Sequence, residues 1–134
     1  MTFKVIIAGG RDFDKYDLLQ AKVDQLLANK NKVEIVSGKS SGADKLGEDY
    51  ATEKGYSIKE FPADWDNIDV EGAVVKYTSS GKPYNAIAGH MRNQNMSDYA
   101  DALILFWDGK SKGSYDMLKR ARKRGLEIRI IRYE

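Results

Sequence analysis

Short apolar runs recur along the chain and are separated by turns and amphipathic stretches. Residues 5–8 and 102–107 are uniformly apolar and too short for helices, which is typical of strands buried on both faces of a parallel sheet. Residues 33–36 form a third short apolar run. Residues 56–61 and 126–132 alternate more between apolar and polar positions, as half-exposed edge strands do. The pattern therefore predicts five strands, with the edges formed by the two alternating ones.

Amphipathic stretches lie between these strands and predict helices. We expect the first helix to begin at Asp14, with Asp17 completing an acidic capping box, and the second to begin at Ser41, with Asp44 in the same role. Strands that alternate with helices indicate an α/β protein with a parallel sheet. Right-handed crossovers then give a three-layer, Rossmann-like sheet in the strand order 3-2-1-4-5, with helices on both faces.

Residues 66–85 interrupt this alternation, because no periodic pattern is sustained there. Gly72, Gly81 and Pro83 break the stretch, which predicts a long loop with a short hairpin around the sequence SSGKP. Such an excursion is either a functional lid or a tolerated insertion. We expect residues 1–134 to form a single domain that carries this excursion.

Composition narrows the class of protein. The chain has 134 residues, of which 42% are hydrophobic and 31% charged, a balance typical of soluble domains. No apolar run approaches the roughly 18 residues of a membrane span, and no signal-peptide pattern opens the chain, so we expect a cytoplasmic protein without a membrane partner. The absence of cysteine excludes disulfides and thiolate metal sites, and we expect no metal or cofactor. The net charge of +2 does not by itself indicate a nucleic-acid partner.

Three predicted strands end in loops that contain glycine and lead into helices: GGRDF, SGKSSGAD and DGKSKGS. Helix N-termini present free N–H groups and partial positive charge, which suit phosphate or carboxylate groups. Lys39, Lys110 and Lys112 add mobile positive charge. The first and fourth strands are predicted neighbours, so GGRD and DGKSKGS should face each other across one crevice. Each loop alone fits an ordinary turn with a helix cap, but the three together predict an anionic small-molecule site.

The motifs GGRDF, SGxxxGADxLGExYA, FPADWD and AGxxRNxxM, followed by an apolar strand and a glycine loop, resemble the YspA-type, YpsA-related branch of the SLOG superfamily. The resemblance runs along nearly the whole chain. It implies a Rossmann-like fold and a nucleotide-derived ligand at the crevice. Related families include the Lonely Guy phosphoribohydrolases, which cleave the N-glycosidic bond of nucleoside monophosphates, and the DNA-binding DprA proteins.

The resemblance also implies a set of ligand-binding residues: Gly9, Gly10, Arg11, Asp12, Ser37, Gly38, Gly42, Ala43, Asp44, Asp64, Trp65, Arg92, Asn93, Gly109, Gly113 and Ser114. The family more often has an arginine before the glycine of the second loop. Its absence here leaves a phosphate contact to Lys39 or to backbone, and Asp108 completes the set in the last loop.

Individual residues of this set have more than one interpretation. Trp65 either stacks on a base or caps the core. Arg92 lies on a helix that gains nothing from its charge, so we predict a phosphate or ribose contact and a truncated variant of unchanged stability. Two asparagines in that helix, Asn93 and Asn95, indicate a local demand for side-chain amides. His90 is interpreted as incidental.

The proposed chemistry depends on one departure from the Lonely Guy motif PGGxGTxxE. Met117 stands where that motif has its glutamate, and Asp116 lies one residue early, about 100° away around a helix. We therefore predict a nucleotide-binding sensor or a component of a larger system, in which Asp116 points away from the ligand.

Two alternatives stay open: a nucleoside monophosphate hydrolase, and a DNA-associated module using the basic run 119–124. DNA is not the expected partner, because cations in a last helical turn also complement the helix dipole. A homo-oligomer is left open.

Overall fold

The computed structural model describes residues 1–133. The chain alternates between strands and helices, with one short hairpin between the third strand and the third helix. In chain order the elements are β1 (Phe3–Gly9), α1 (Tyr16–Leu27), β2 (Val33–Ser37), α2 (Ala43–Lys54), β3 (Ser57–Glu60), β4 (Val75–Tyr77), β5 (Pro83–Asn85), α3 (Ala88–Tyr99), β6 (Ala102–Trp107), α4 (Lys112–Lys123) and β7 (Glu127–Arg132).

Five of the strands form a parallel sheet in the order β3-β2-β1-β6-β7. This is the predicted order 3-2-1-4-5 once the separate hairpin β4–β5 is left out of the count. β1 and β6 are direct neighbours, in register from Val5 opposite Ala102 to Gly9 opposite Phe106. β3 and β7 lie at the edges, as their alternating patterns predict.

The pleat of β1 distributes its apolar residues between two cores. Val5 and Ile7 belong to the core that α1 and α2 cover, whereas Ile6 and Ala8 belong to the core under α3 and α4. Successive side chains of a strand point to opposite faces, so a strand covered on both sides must be apolar at every position. This requirement explains the uninterrupted apolar run that marks β1 in the sequence.

The predicted capping boxes at the first two helices are wrong. α1 begins at Tyr16, whose N–H donates to the backbone carbonyl of Asp14 at 3.2 Å. α2 follows Gly42, and the Ser41 hydroxyl donates to the carbonyl of Arg11 at 3.4 Å instead of capping the helix. At α1 a local backbone contact replaces the predicted side-chain cap, whereas at α2 the Ser41 hydroxyl is used in a tertiary contact with the loop after β1.

The excursion contains the predicted hairpin, formed by the antiparallel strands β4 and β5. Asn85 holds it against the start of α3, because its side-chain oxygen accepts hydrogen bonds from the N–H groups of Val74 at 3.3 Å and Ile87 at 3.2 Å. Its own N–H donates to the carbonyl of Trp65 at 2.7 Å. The hairpin therefore connects the loop after β3 to α3. Within residues 1–133, no helix is long and apolar enough to span a membrane.

Candidate ligand-binding cavity

A cavity of about 180 Å³ lies at the carboxyl ends of β1 and β6. In doubly wound sheets this is the point at which the strand order reverses and ligands bind. Eight of the residues predicted from the sequence line the cavity: Gly9, Arg11, Asp44, Trp65, Arg92, Asn93, Gly113 and Ser114. The first and fourth strands thus bring the GGRD and DGKSKGS loops to one cavity, as predicted.

The other predicted residues do not line this cavity: Gly10, Asp12, Ser37, Gly38, Lys39, Gly42, Ala43, Asp64, Asp108 and Gly109. Sequence reasoning missed Ala8, Ser40, Ala86, Gly89, His90, Met96, Ser111 and Met117, which do line it. The sequence did contain a signal for two of them, Gly89 and Met96. Together with the predicted Arg92 and Asn93 they have the spacing of one helical face. Recognising that α3 supplies a wall of the cavity would have found them.

The paired glycines at the end of β1, Gly9 and Gly10, are required by packing within the protein. A Cβ on Gly9 would lie 2.0 Å from the carbonyl oxygen of Phe106, and one on Gly10 would lie 1.8 Å from the hydroxyl oxygen of Tyr133. Tyr133 in turn donates a hydrogen bond to Asp12 at 2.8 Å. Burial and this bond raise the pKa of Tyr133 above its ordinary value. Gly10 and Asp12 therefore hold the end of the chain against the first loop.

Lys39, the cation predicted to contact phosphate from the loop after β2, forms ion pairs within the protein instead. Lys39 forms ion pairs with Glu48 at 2.9 Å and with Glu60 at 3.0 Å, and the Ser37 hydroxyl donates to Glu48 at 2.5 Å. The hydrogen bonds to the two glutamates raise the pKa of Lys39. Lys39 is thus not the mobile charge that the sequence suggests, and the Ser37 hydroxyl is bonded to one of the same glutamates.

Asp44 is a buried carboxylate in the wall of the cavity. Its side chain is 5% exposed, and one oxygen accepts a hydrogen bond from the N–H of Ser40 at 3.3 Å. Burial raises the pKa of Asp44 to about 6, while the Ser40 bond and the charges of Arg92 and Arg11 oppose that rise. Within residues 1–133, no other carboxylate lines the cavity.

Arg92 and Asn93 connect three parts of the fold. Arg92 donates through Nη1 to the carbonyl oxygen of Gly38 and through Nε to the side-chain oxygen of Asn93 at 3.0 Å. Asn93 Nδ2 donates to Asp116 Oδ2 at 2.9 Å. The expectation that the helix gains nothing from Arg92 is therefore wrong. The predicted demand for an amide is met at Asn93, which joins α3 to α4.

Asp116 is held by two partners within the protein, Asn93 and Arg120. Besides Asn93, it accepts a hydrogen bond from Arg120 Nε at 2.9 Å. Burial alone would raise the pKa of Asp116, but the bonds from Arg120 and Asn93 outweigh it and lower the pKa. As predicted, this carboxylate is not directed at the cavity. Met117 lines the cavity in its place.

The N-terminus of α4 lies at the cavity, which Ser111, Gly113 and Ser114 line. Ser111 caps the helix by accepting from the N–H of Ser114 at 3.4 Å. Asp108 fixes the preceding turn by accepting from the N–H groups of Lys110 and Ser111 at 2.8 and 2.9 Å, which lowers its pKa. Ser114 is 5% exposed, and its hydroxyl has no hydrogen-bond partner within the described residues. A methyl group on Gly113 would meet no protein atom within 4 Å.

Trp65 lies at the rim, opposite the buried part of the cavity. It is 40% exposed, and its ring approaches to 3.4 Å of the position that a Cβ on Gly89 would occupy. The indole therefore lies against α3 at a distance that a methyl group at position 89 would also allow. Across residues 1–133 no cluster of three or more potential metal ligands is found.

These features define a Rossmann-like α/β protein with a polar cavity where the strand order reverses. Residues 3–67 match the model of the YAcAr family, described as the YspA, cpYpsA-related SLOG family. The match confirms the predicted family resemblance over just under half of the chain, from β1 to the loop that carries Trp65.

A solved structure confirms the fold over the rest of the chain. The X-ray structure of DNA processing protein A (DprA) from Streptococcus pneumoniae superposes with a TM-score of 0.70 at 20% sequence identity, covering 99% of this chain and 51% of that one. The chain thus spans about half the length of that protein. No curated protein sequence matches the chain.

Proposed function

We propose that the cavity binds a nucleotide or nucleotide-derived ligand, with its phosphate at the N-terminus of α4. The observation that carries this proposal is at Ser114, a residue that lines the cavity and whose buried hydroxyl has no hydrogen-bond partner in residues 1–133. An unpaired buried donor costs about 1–3 kcal/mol. A phosphate oxygen would accept from this hydroxyl and from the free N–H groups of the helix, whose dipole favours an anion.

The charges around the cavity support an anionic ligand. Arg11 and Arg92 both line it, against the carboxylate of Asp44, the one carboxylate that lines it within residues 1–133. Lys110, in the loop before α4, and Lys112, the first residue of α4, are both exposed. Because Arg92 is already bonded to Gly38, Arg11 is the more available of the two guanidinium groups for a phosphate. Planar guanidinium groups bind phosphate through two parallel hydrogen bonds.

Trp65 supports a ligand that carries an aromatic base. Its exposed ring stands at the rim, where a base could stack on it while the phosphate occupies the deeper end near Ser114. Stacking of a base on an aromatic side chain contributes roughly 1–3 kcal/mol and depends little on the identity of the base. The family match over residues 3–67 agrees with a nucleotide-type ligand.

Binding without turnover, as in a sensor or a component of a larger system, is favoured over hydrolysis. Met117 offers no carboxylate in the cavity, and Asp116 is held by Arg120 and Asn93. The basic run 119–124 lies outside the cavity, and two of its arginines pair with Asp116 and Asp98. These contacts therefore favour a ligand in the cavity over DNA binding by the basic run.

The chain offers a matched pair of variants for the test. Ser97, like Ser114, is a buried serine whose hydroxyl has no partner in the described chain, but it does not line the cavity. Binding of adenosine, guanosine, cytidine and uridine monophosphates is measured by calorimetry for the wild type, Ser114→Ala and Ser97→Ala. We expect Ser114→Ala to weaken binding about tenfold, the loss of one hydrogen bond to a charged group, and Ser97→Ala to bind as the wild type does.

Both substitutions remove an unsatisfied hydroxyl, so neither should lower the melting temperature of the free protein. The proposal is wrong if none of the four nucleotides binds the wild type at millimolar concentration. It is also wrong if the two serine variants bind alike.

A further inference from the structure

We infer that Asp44 recognises the sugar hydroxyls of the bound nucleotide, so that the cavity prefers ribonucleotides to their 2′-deoxy counterparts. This inference rests on the proposed function and adds a specificity to it. The starting observation is that the described part of the chain places one carboxylate, that of Asp44, in a cavity otherwise suited to an anion.

The surroundings of Asp44 leave acceptor positions open to a hydrogen-bond donor from the ligand. At 5% exposure the carboxylate has little access to water, and the N–H of Ser40 occupies one of the roughly four acceptor positions of such a group. The charged groups that act on it are Arg92 on α3, Arg11 in the loop after β1 and Glu48 on its own helix. Neither arginine lies within ion-pair distance of it among the described contacts. A buried carboxylate with spare acceptor positions is stabilised by a ligand that donates to it.

We assign that donor from the different exposures of two lining residues, Ser114 and Trp65. Ser114 is buried and marks the phosphate end, whereas Trp65 is 40% exposed and marks the base end. In a nucleotide the sugar lies between phosphate and base, so the proposal places the sugar between these two residues and against Asp44. Its vicinal hydroxyls present two donors to the two oxygens of one carboxylate. An acidic side chain performs the same task on the ribose in dinucleotide-binding Rossmann folds.

A purely structural role for Asp44 is a weaker explanation. A carboxylate that only bound the Ser40 N–H would serve as well at the surface, where ionisation is not opposed by burial. Burial raises the pKa of Asp44 to about 6, so the folded protein tolerates an ionised group in an unfavourable place at neutral pH. Such tolerance is typical of binding sites.

The test compares adenosine 5′-monophosphate with 2′-deoxyadenosine 5′-monophosphate, by calorimetry at pH 7.5, for the wild type and Asp44→Asn. Asparagine keeps an acceptor for Ser40 but loses the charge and one acceptor oxygen. We expect the wild type to bind the ribonucleotide at least tenfold more tightly, and the ratio to fall to threefold or less in Asp44→Asn. Asp49→Asn removes the same charge from an exposed position of α2 and should keep the wild-type ratio.

The outcomes separate this inference from the proposed function. Equal binding of the two nucleotides by the wild type overturns the inference and leaves nucleotide binding standing, whether or not Asp44→Asn folds. An unchanged preference for the ribonucleotide in a folded Asp44→Asn also overturns it, because another group then recognises the sugar hydroxyls. If Asp44→Asn instead changes the preference between adenosine and inosine monophosphates, the carboxylate reads the base and the inference is wrong. Absence of any binding by the wild type removes the proposed function and this inference together.

Discussion

The guanidinium of Arg92 on α3 donates a hydrogen bond to the carbonyl oxygen of Gly38, 54 residues earlier in the chain. Gly38 follows β2 and is buried, and a Cβ there would lie 2.7 Å from Arg92 Nη1. The contact therefore needs both the arginine and the glycine. It fixes the wall of the cavity that α3 forms relative to the loop that carries Ser40.

Replacement of Arg92 should destabilise the protein even without ligand. Arg92→Ala leaves the buried carbonyl of Gly38 without its donor, and we expect a loss of about 1–3 kcal/mol in the free energy of unfolding. Urea unfolding monitored by circular dichroism measures it. Arg122→Ala, at an exposed position of α4, serves as the control and should change stability by less than about 0.5 kcal/mol. Equal stability of Arg92→Ala and the wild type would show that the Gly38 contact contributes nothing.

Asp44 should make stability depend on pH in a defined direction. Its pKa is raised from 3.8 to about 6 in the folded protein, so the folded state binds more protons than the unfolded state between these values. Stability then falls as pH rises through this window, by an amount on the order of 3 kcal/mol for a shift of about two units. In Asp44→Asn this component is absent. The variant should therefore gain stability relative to the wild type as pH increases from 4 to 7.

The measurement is urea unfolding of both proteins at pH 4, 5, 6 and 7. Asp49→Asn, which lacks an exposed carboxylate on the same helix, should not reproduce the divergence. Parallel stability curves for the wild type and Asp44→Asn would contradict the raised pKa of Asp44.

Gly10 and Tyr133 should be energetically coupled. A methyl group on Gly10 would lie 1.8 Å from the hydroxyl oxygen and 3.1 Å from Cζ of Tyr133, so Gly10→Ala forces the tyrosine to move. We expect Gly10→Ala to cost about 1–3 kcal/mol, as overpacking does. Removing the hydroxyl with Tyr133→Phe should relieve part of that cost in the double variant. A double-mutant cycle from urea unfolding gives the coupling energy, and additive effects would show that the glycine serves some other purpose.

No release of free base is expected from nucleoside monophosphates. Cleavage of an N-glycosidic bond builds positive charge on the sugar. The reaction therefore needs a carboxylate that stabilises this charge or a general base that activates water. Asp44 is the one carboxylate lining the cavity in residues 1–133, and the inference above assigns it to the sugar hydroxyls. Excess protein is incubated for hours with each of the four monophosphates, and the products are separated by chromatography. Sustained base release that disappears in Asp44→Asn would replace binding by hydrolysis as the function.

The sequence by itself determined the layout of the sheet. β1 and β6 are uniformly apolar because both of their faces are buried, and this requirement is visible in any short window of residues. The alternating edge strands and the hairpin at SSGKP follow from local periodicity and turn residues in the same way. Chain connectivity then leaves few ways to order the strands, so β1 and β6 become neighbours and the loops after them reach one cavity.

Only the tertiary structure decided what the individual loop residues do. Position 10 needs a glycine because Tyr133 packs against it. Lys39 forms ion pairs with Glu48 and Glu60, and the Ser41 hydroxyl before α2 bonds to the carbonyl of Arg11. A short motif specifies which residue types stand together, but their partners come from distant parts of the chain and are fixed only when the helices pack. For the same reason, α3 supplies a wall of the cavity that no loop motif predicts. The orphan hydroxyl of Ser114 and the burial of Asp44 are properties of that packing, and the proposed function depends on them.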